Sequence, residues 1–288
     1  MLLLLDGLLH KVFVLIKIPM VFLFNKYNEK QSLYDYPELD IVIPIIEKDI
    51  IVAKECVKAA RAYSLNPIGK IFVVAPINKL IQDFCIQQDL VFVNEIDILP
   101  LPLEHLKSLV QDKSKIGWLL QQLLKLNSDQ IKGINENYLI LDSDTVMLKK
   151  QWFKSKDKTI LKFSDEFHFL YRLTNQKLLH AINWYPASFI CHHMVFNQVI
   201  LKNLRNEIEL KNGDKWPYVI LKSAANFHYF FSEYELYAQY LLRNHHKEIT
   251  IQYWFNRNGF FKKQQLNKIE TLNRFQSTSY HNYDRPLN

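Results

Sequence analysis

Apolar and polar residues alternate along this chain in blocks that predict strands and helices in turn. From residue 40 onward, a short apolar run is followed by an amphipathic stretch, and this order repeats up to a strand that ends in an acidic loop. Strands are predicted at 40–46, 70–75, 90–93 and 137–142, and helices at 48–64, 78–88 and 116–126. This alternation predicts an α/β fold, with a doubly wound, mostly parallel sheet flanked by helices.

After residue 150 the pattern is less regular. Strands are predicted at 159–163 and 188–196, and helices at 197–210 and 232–246. The sequence shows neither an internal repeat nor a low-complexity tract. We therefore expect residues 38–288 to form a single domain.

The first 24 residues are strongly apolar. No uncharged stretch among them reaches the roughly 18 residues that a membrane-spanning helix needs, because they include Asp6, His10, Lys11 and Lys17. Three of these polar residues share a narrow sector of a helical wheel, which is typical of a helix in a membrane interface. A helix docked on the protein's own core and a signal anchor fit the same pattern. We predict an N-terminal apolar helix followed by a polar linker over residues 1–37.

The amino-acid composition mainly excludes certain classes of binding and catalytic site. Only six glycines occur among 288 residues, and they lie far apart, so Gly-rich phosphate loops and nucleophile elbows are excluded. Cys56, Cys85 and Cys191 form no C-x-x-C pair, so we expect no zinc knuckle or disulfide framework, and a reducing compartment. The net charge of +7 favours anionic partners. Nucleic acid is not expected, since the chain has no zinc-finger spacing and no basic helix.

The acidic loop of Asp142, Ser143 and Asp144 directly follows the predicted strand at 137–142. Ligands of α/β sheets bind at the carboxyl ends of parallel strands, where this loop is expected. Two carboxylates one residue apart suit a divalent cation such as Mg²⁺ or Mn²⁺, which in turn takes phosphate oxygens. A simple surface turn is the alternative, because Asp and Ser are common in turns.

Five segments, in the same order along the chain, resemble a family of mostly uncharacterised bacterial glycosyltransferases with the GT-A fold. They are DIVIPIIEKD, GWLLQQLLKL, LDSDT, HHMVFN and FSEYELY. The resemblance implies a GT-A-like sheet, a nucleotide-sugar donor, a divalent metal (Mn²⁺ or Mg²⁺) and transfer to a hydroxyl of a glycan or lipid-linked acceptor. It also implies a nucleotide-sugar-binding half at 38–150 and an acceptor-binding half at 151–288. The typical context of the family is synthesis of surface polysaccharide or lipopolysaccharide.

The predicted helix at 116–126 carries a polar and aromatic stripe opposite its leucines, with spacings of i, i+3, i+4 and i+7. At the ligand edge of the sheet this stripe would contact the donor, with Lys125 facing the diphosphate. A solvated helix face is the alternative. The candidate donor-binding residues are Pro44, Lys48, Trp118, Gln121, Gln122, Lys125, Asp142 and Ser143.

Two carboxylates lie in the segment FSEYELY. Ser232 followed by Glu235 three residues later forms a capping box, which gives Glu235 a structural role. Glu233 is then available for catalysis, held anionic by the helix dipole. GT-A enzymes that invert the anomeric centre use such a carboxylate to deprotonate the acceptor. We predict Glu233 as the catalytic base, with Glu235 and Asp165 as rivals.

Two adjacent histidines lie on a predicted apolar strand, where alternation sends one side chain inward and the other outward. A buried core histidine is the common outcome, but the resemblance implies an acceptor-binding role for His192 or His193. It also implies that His281 is a metal ligand beside Asp142 and Asp144, since many GT-A enzymes recruit a third ligand near the C-terminus.

Two other functions fit the same residues. LILDSDTV also matches the haloacid-dehalogenase pattern, in which Asp142 would be a phosphatase nucleophile and Asp144 an acid. That motif normally lies on the first strand of its domain, and here several strands and helices precede it. A non-catalytic membrane-associated scaffold is the other alternative, and the intact acidic pair disfavours it. For the transferase we expect a cytoplasmic location and peripheral contact with the inner face of the membrane through residues 1–24.

Overall fold

Ten strands lie in the residues that the computed structural model describes, which are 6, 9, 11–12, 35–164, 166–182, 185, 187–258 and 275–280. They are β1 (Leu39–Pro44), β2 (Ile68–Ala75), β3 (Val91–Asn94), β4 (Asn137–Leu141), β5 (Thr145–Met147), β6 (Thr159–Phe163), β7 (His193–Asn197), β8 (Ile249–Tyr253), β9 (Asn256–Asn258) and β10 (Ser277–Ser279). The central sheet has the order β3-β2-β1-β4-β7. Its first four strands are parallel, and β7 runs antiparallel to β4.

Helices cover both faces of this sheet. In chain order they are α1 (Ile50–Tyr63), α2 (Lys79–Gln87), α3 (Leu103–Leu109), α4 (Ile116–Leu126), α5 (Phe169–Leu179), α6 (Gln198–Asn212), α7 (Trp216–Ala225) and α8 (Glu233–Asn244). Successive side chains of a strand point to opposite faces. Ile41 and Ile43 accordingly join a core with α1 and α2, while Val42 joins the core formed with α4, α6, α7 and α8. This arrangement confirms the predicted α/β class and the mostly parallel sheet flanked by helices.

Most differences from the predicted elements lie after residue 163. β7 begins at His193 instead of 188, because His192 has a left-handed backbone (φ 55°) that a strand does not accommodate. The helices α3, α5 and α7 were not predicted. The sequence of α7, WPYVILKSAA, is apolar on most sides and buries seven residues, so it has no polar face to reveal a helical period.

Two small sheets flank the central one. β6 pairs with β8 in parallel, and β5, β10 and β9 form the other small sheet. The sheet of β5, β10 and β9 contacts the acidic loop, since the N–H of Tyr280, the residue after β10, donates to the Asp144 carbonyl oxygen at 3.0 Å. The Thr145 and Ser279 hydroxyls lie 3.0 Å apart in a further hydrogen bond. Both contacts come from β10 and the residue after it, and they fix the end of the acidic loop.

The N-terminal segment is described at four residues, Asp6, Leu9, Lys11 and Val12, all of them helical. The other residues from 1 to 34, which make up most of the predicted apolar helix and linker, lie outside the described part of the chain. Among the helices that the structure describes, none is long and apolar enough to cross a membrane.

Lys162 on β6 is a buried cation whose ammonium donates hydrogen bonds to the Gln151 and Gln276 side chains. Burial lowers the pKa of this lysine to about 8. An unfolded lysine titrates near 10.4, so between these two pH values the unfolded chain binds the extra proton. Stability therefore rises with pH in this window.

We expect Lys162 to contribute a rise of about 3 kcal/mol in the free energy of unfolding between pH 8 and about 10.4. Denaturant unfolding of the wild type and of Lys162→Met across this range should show the rise only in the wild type. Lys222→Met, which alters an exposed lysine, is the matched control and should follow the wild type. Parallel curves for the wild type and Lys162→Met would contradict the expectation.

Candidate active site

A cleft of about 670 Å³ opens at the carboxyl ends of β1, β2 and β4. It lies where the chain order of the sheet reverses, with β2 on one side of β1 and β4 on the other. This is the usual ligand position in open α/β sheets, and the volume is typical of a small-molecule site. All eight candidate donor-binding residues line it: Pro44, Lys48, Trp118, Gln121, Gln122, Lys125, Asp142 and Ser143. Asp144, His192 and Glu233 line it too.

Lys125 is the central cation of the cleft floor. Its ammonium lies 2.5 Å from Asp142 Oδ1 and 2.7 Å from Glu233 Oε1, and its side chain is 1% exposed. The ring of Tyr234 covers it, with the ammonium 4.4 Å from the ring centroid. Burial by itself lowers the pKa of Lys125, but Asp142 and Glu233 outweigh this and raise it, so the side chain stays charged. One lysine thus joins α4, the end of β4 and the start of α8.

Asp142 accepts hydrogen bonds on both carboxylate oxygens. Besides Lys125, Oδ1 takes the Tyr234 hydroxyl at 2.9 Å, while Oδ2 lies 3.0 Å from His192 Nδ1. Burial raises the pKa of this carboxyl, but Lys125 and His192 more than offset that and hold it well below its usual range. Asp142 is therefore a fixed anion at physiological pH.

His192 is held against Asp142 by its backbone and its ring. Its carbonyl oxygen accepts from the Asp142 N–H at 2.9 Å, and its left-handed φ turns the ring into the cleft. On the other side, Nε2 lies 3.5 Å from a carboxylate oxygen of Glu166. Burial lowers the pKa of His192, but Asp142 and Glu166 outweigh it and raise the value to about 10. The ring is consequently an imidazolium at neutral pH.

The two carboxylates of FSEYELY have separate environments. Glu233 faces the cleft, and its backbone N–H donates to the Gln122 side chain at 3.1 Å. Burial raises the pKa of the Glu233 carboxyl, although Lys125 opposes that shift. Glu235 lies beneath the cleft, where its carboxylate accepts from the Phe189 N–H at 2.7 Å.

Helix α8 begins at the predicted cap residue, Ser232. One of the two hydrogen bonds of a capping box is present, and the Glu235 side chain does not make the other. The Ser232 hydroxyl oxygen accepts from the Glu235 N–H at 3.3 Å. The Glu235 carboxylate binds Phe189 and, at 3.1 Å, the Gln239 amide. Both oxygens of Glu235 therefore bind groups that connect the 187–190 loop to α8. The Glu235 side chain does not line the cleft, so the structure does not support it as a rival base.

One other predicted site residue, His193, is described and lies away from the cleft. His193 points away from it and is 4% exposed, with its ring packed against Phe153 and Trp254. Burial drives the pKa of His193 far below its usual range, so it is a neutral core residue. The two adjacent histidines diverge because His193 begins β7 and faces the core, whereas the left-handed backbone of His192 turns its ring into the cleft. Asp165 and His281 lie outside the described residues.

A divalent cation would find two carboxylates at this edge, Asp142 and Asp144. Among the described residues, His192 is the one donor to Asp142 Oδ2, which leaves a lone pair of that oxygen for a metal. In the part of the chain that the structure describes, no group of three or more His, Cys, Asp or Glu side chains could hold a metal ion. A metal held by this acidic pair would have to take its further ligands from substrate, from solvent or from residues outside the described part of the chain.

Three site residues were missed at the level of sequence, namely Tyr234, Glu166 and Tyr171. Tyr234 lies between the two glutamates of FSEYELY, and Glu166 follows Asp165 in FSDEFH, so each adjoins a residue that was considered. Tyr171 lies on α5, a helix that the pattern did not predict, and stacks on Trp118 with ring centroids 6.2 Å apart.

Several solved structures resemble this chain at low sequence identity. Mouse xyloside xylosyltransferase 1 in its apo form is 11% identical, with a TM-score of 0.47, and the match covers 88% of this chain and 100% of that one. The galactosyltransferase LgtC in complex with donor and acceptor sugar analogs is 12% identical, with a TM-score of 0.43, and the match covers 84% of this chain and 87% of that one. An active-site mutant of LgtC gives 15% identity and a TM-score of 0.45 over the same shares.

The chain was also compared at the level of sequence. Residues 39–285 match the sequence model of a family of unknown function, DUF6492. No curated protein sequence matches the chain.

Proposed function

Since this chain belongs to the DUF6492 family, whose function is unknown, we propose from the site that it is a glycosyltransferase moving a sugar from a nucleotide-sugar donor to an acceptor hydroxyl. One observation carries the proposal. The acidic loop at the end of β4 faces the cleft, and its first carboxylate is fixed by Lys125 and His192. Buried cations and anions held in one arrangement provide the preorganised field that stabilises charge developing during transfer.

The donor would lie along the carboxyl edge of the sheet. Pro44, Ile46 and Val74 give the cleft an apolar end next to Lys48, which suits a nucleobase and its ribose. The diphosphate would then lie near Asp144, where a metal has its proposed ligands. This orientation places the sugar over the cluster of Lys125, Asp142 and Glu233.

Charge supports a divalent cation in this site. Three cations line the cleft, namely Lys48, Lys125 and His192. Six carboxylates line it as well: Asp49, Glu95, Asp142, Asp144, Glu166 and Glu233. Such a surplus of negative charge would repel a diphosphate unless a metal balanced it. We propose that Asp142 and Asp144 hold Mn²⁺ or Mg²⁺, with His281 as a third ligand. When bound, the cation would neutralise the charge of the leaving diphosphate.

Glu233 is our proposed base for an inverting transfer. The acceptor oxygen attacks the anomeric carbon of the donor, and the bond from that carbon to the phosphate oxygen breaks. The electron pair leaves with the nucleoside diphosphate, and the hydroxyl proton passes to the Glu233 carboxylate. Burial raises the pKa of Glu233, which brings the group closer to the working pH at which a base is most effective. Lys125 keeps it ionised before the reaction.

The acceptor would enter from the side of Glu166 and His192, both of which line the cleft and belong to the 151–288 half. Glu166 is the more exposed of the two, with 43% of its side chain accessible, and can accept hydrogen bonds from sugar hydroxyl groups. We further propose a glycan or lipid-linked acceptor, a role in surface polysaccharide or lipopolysaccharide synthesis, and a cytoplasmic location with membrane contact through residues 1–24. These parts rest on the sequence.

The phosphatase alternative fits the site less well. A nucleophilic aspartate needs an electron-rich oxygen, but Asp142 Oδ1 accepts from Lys125 and Tyr234, and the ion pair of Oδ2 with His192 weakens that oxygen as a nucleophile. The pairing still leaves Oδ2 able to coordinate a metal. The strand before the acidic loop is also the fourth in the chain and borders an antiparallel strand. Both features favour a binding and metal-holding role for Asp142.

A thermal-shift panel of UDP-, GDP-, CMP- and dTDP-sugars, with Mn²⁺ and then with EDTA, tests the proposal. A donor at about 100 times its Kd should stabilise the wild type by about 2.7 kcal/mol, which corresponds to roughly 5 °C for a chain of this size. We expect one nucleotide class to give this shift only with metal, and Asp144→Ala to abolish it. Asp214→Ala, a change at a surface pair with Lys222, is the matched control and should keep the shift.

Two results would contradict the proposal. A shift with beryllofluoride but with no nucleotide sugar would support the phosphatase. No shift with any of these ligands would support the non-catalytic scaffold.

A further inference from the structure

We propose that Asp6, in the N-terminal segment, is a positioning residue that holds Glu166 at the acceptor side of the cleft through His168. The proposal rests on the transferase function proposed above, in which Glu166 contacts the acceptor. It assigns a role in the site to a residue that lies 160 positions before Glu166 in the sequence.

The proposal is based on a continuous series of charged contacts. Asp6 Oδ2 lies 3.5 Å from His168 Nδ1, and His168 Nε2 lies 3.8 Å from Glu166 Oε1. The other oxygen of Glu166 lies 3.5 Å from His192 Nε2. His192 Nδ1 in turn lies 3.0 Å from Asp142 Oδ2. Carboxylate and imidazole therefore alternate from the N-terminal segment to the acidic loop.

Asp6 is well placed to act on His168 because it is itself held. It is 9% exposed, and its Oδ1 accepts a hydrogen bond from the Leu170 N–H at 3.3 Å, in the first turn of α5. An anion at the N-terminus of a helix is stabilised by the helix dipole. The two carboxylate oxygens thus have different partners, one in the helix backbone and the other in the His168 ring.

His168 transmits the position of Asp6 because its ring is packed. Its centroid lies 4.8 Å from that of Tyr171 and 5.9 Å from that of Phe230. With both ring nitrogens facing carboxylates, the ring is a bridge between Asp6 and Glu166. Burial lowers the pKa of His168, but Glu166 and Asp6 outweigh this and raise it, which favours the charged ring that such a bridge requires.

Glu166 is the group that needs positioning. Its side chain is 43% exposed, and a carboxylate with that much freedom loses conformational entropy when it binds a substrate. Two imidazoles on opposite oxygens restrict it before the acceptor arrives, and they hold its pKa far below the usual range against the effect of burial. Without Asp6, the His168 ring would lose one of its two carboxylate partners and would hold Glu166 less firmly.

The variant Asp6→Asn separates positioning from capping. Its amide oxygen can still accept from the Leu170 N–H, but the negative charge facing His168 is gone. We expect the acceptor KM to rise about tenfold, which corresponds to about 1.4 kcal/mol. kcat should stay within twofold, and the donor-induced thermal shift should not change. NMR titration of the histidine rings should show a lower pKa for His168.

Asp214→Asn is the matched control, since it removes the charge of an aspartate paired with exposed Lys222. It should leave both the acceptor KM and the His168 pKa unchanged. His168→Gln should reproduce the rise in acceptor KM, and it keeps the test usable if Asp6→Asn fails to fold. Adding Asp6→Asn to Glu166→Gln should raise the KM no further, because both act on the same carboxylate.

Three outcomes would contradict either the role of Asp6 or the transferase function, and the measurements distinguish between them. An unchanged His168 pKa in Asp6→Asn would show that Asp6 does not hold the ring. A lowered pKa with an unchanged acceptor KM would show that the contact exists without positioning Glu166, and the transferase proposal would stand. A wild type without transferase activity would overturn the proposed function, and the His168 pKa would still decide whether Asp6 holds the carboxylate bridge.

Discussion

Replacing Lys125 by methionine is expected to lower the free energy of unfolding by about 3–5 kcal/mol. The ammonium is buried between Asp142 and Glu233, at 2.5 and 2.7 Å. Methionine has a similar volume but leaves the buried Glu233 carboxylate without a cation and Asp142 with His192 as its remaining cation. Denaturant unfolding at pH 7, compared at equal m-values, measures the loss.

The same substitution at an exposed lysine provides the control. Lys222 pairs with Asp214 at 2.7 Å, but its side chain is 62% exposed, so Lys222→Met should cost less than about 1 kcal/mol. Adding Asp142→Asn and Glu233→Gln to Lys125→Met should recover much of the lost stability, because the stranded charges are then removed. A loss at Lys125 no larger than at Lys222 would show that the cluster is not the buried charge network described above.

Glu233→Gln is expected to lower kcat by about 10²–10⁴, the usual contribution of a general base. The amide has the same shape and can still lie beside Lys125, so the donor should bind with a nearly unchanged thermal shift. The loss should therefore appear in kcat far more than in the donor KM. Steady-state kinetics with the donor identified by the panel, together with the thermal shift of the variant, measure both.

Glu235→Gln is the matched control, two residues away in the same helix. Its oxygen can still accept from the Phe189 N–H, so we expect kcat within threefold of the wild type and little change in fold. If Glu233→Gln retains most of its kcat, Glu233 is not the base. If Glu235→Gln shows the larger loss, the assignment of the two carboxylates is reversed.

Most of the central sheet can be predicted from short stretches of the sequence. The strands β1, β2, β3 and β4 and the helices α1, α2 and α4 lie within two residues of the predicted bounds, because each has its own hydrophobic period and a clear polar boundary. Their alternation required parallel pairing, and parallel pairing required the acidic loop to lie at the ligand edge. For the same reason, the polar stripe of α4 from Trp118 to Lys125 could be placed in the cleft from sequence.

Other parts of the fold could not be read this way. The helices α5 and α7 lack a clean polar face, and β7 begins later than predicted because His192 adopts a left-handed backbone. That conformation is stabilised by partners from β4 and from the Glu166 loop, which are 50 and 26 residues away along the chain. A pattern read over a dozen neighbouring residues contains no information about such partners.

The sequence by itself determined which side chains carry charge and at which edge of the sheet most of them lie. Only the tertiary structure decided how those charges are paired: Lys125 with both Asp142 and Glu233, His192 with Asp142 and Glu166, and Glu235 with a backbone amide outside the cleft. The physical reason is that hydrophobic periodicity is a local property, whereas the energy of a buried ion depends on which distant groups surround it.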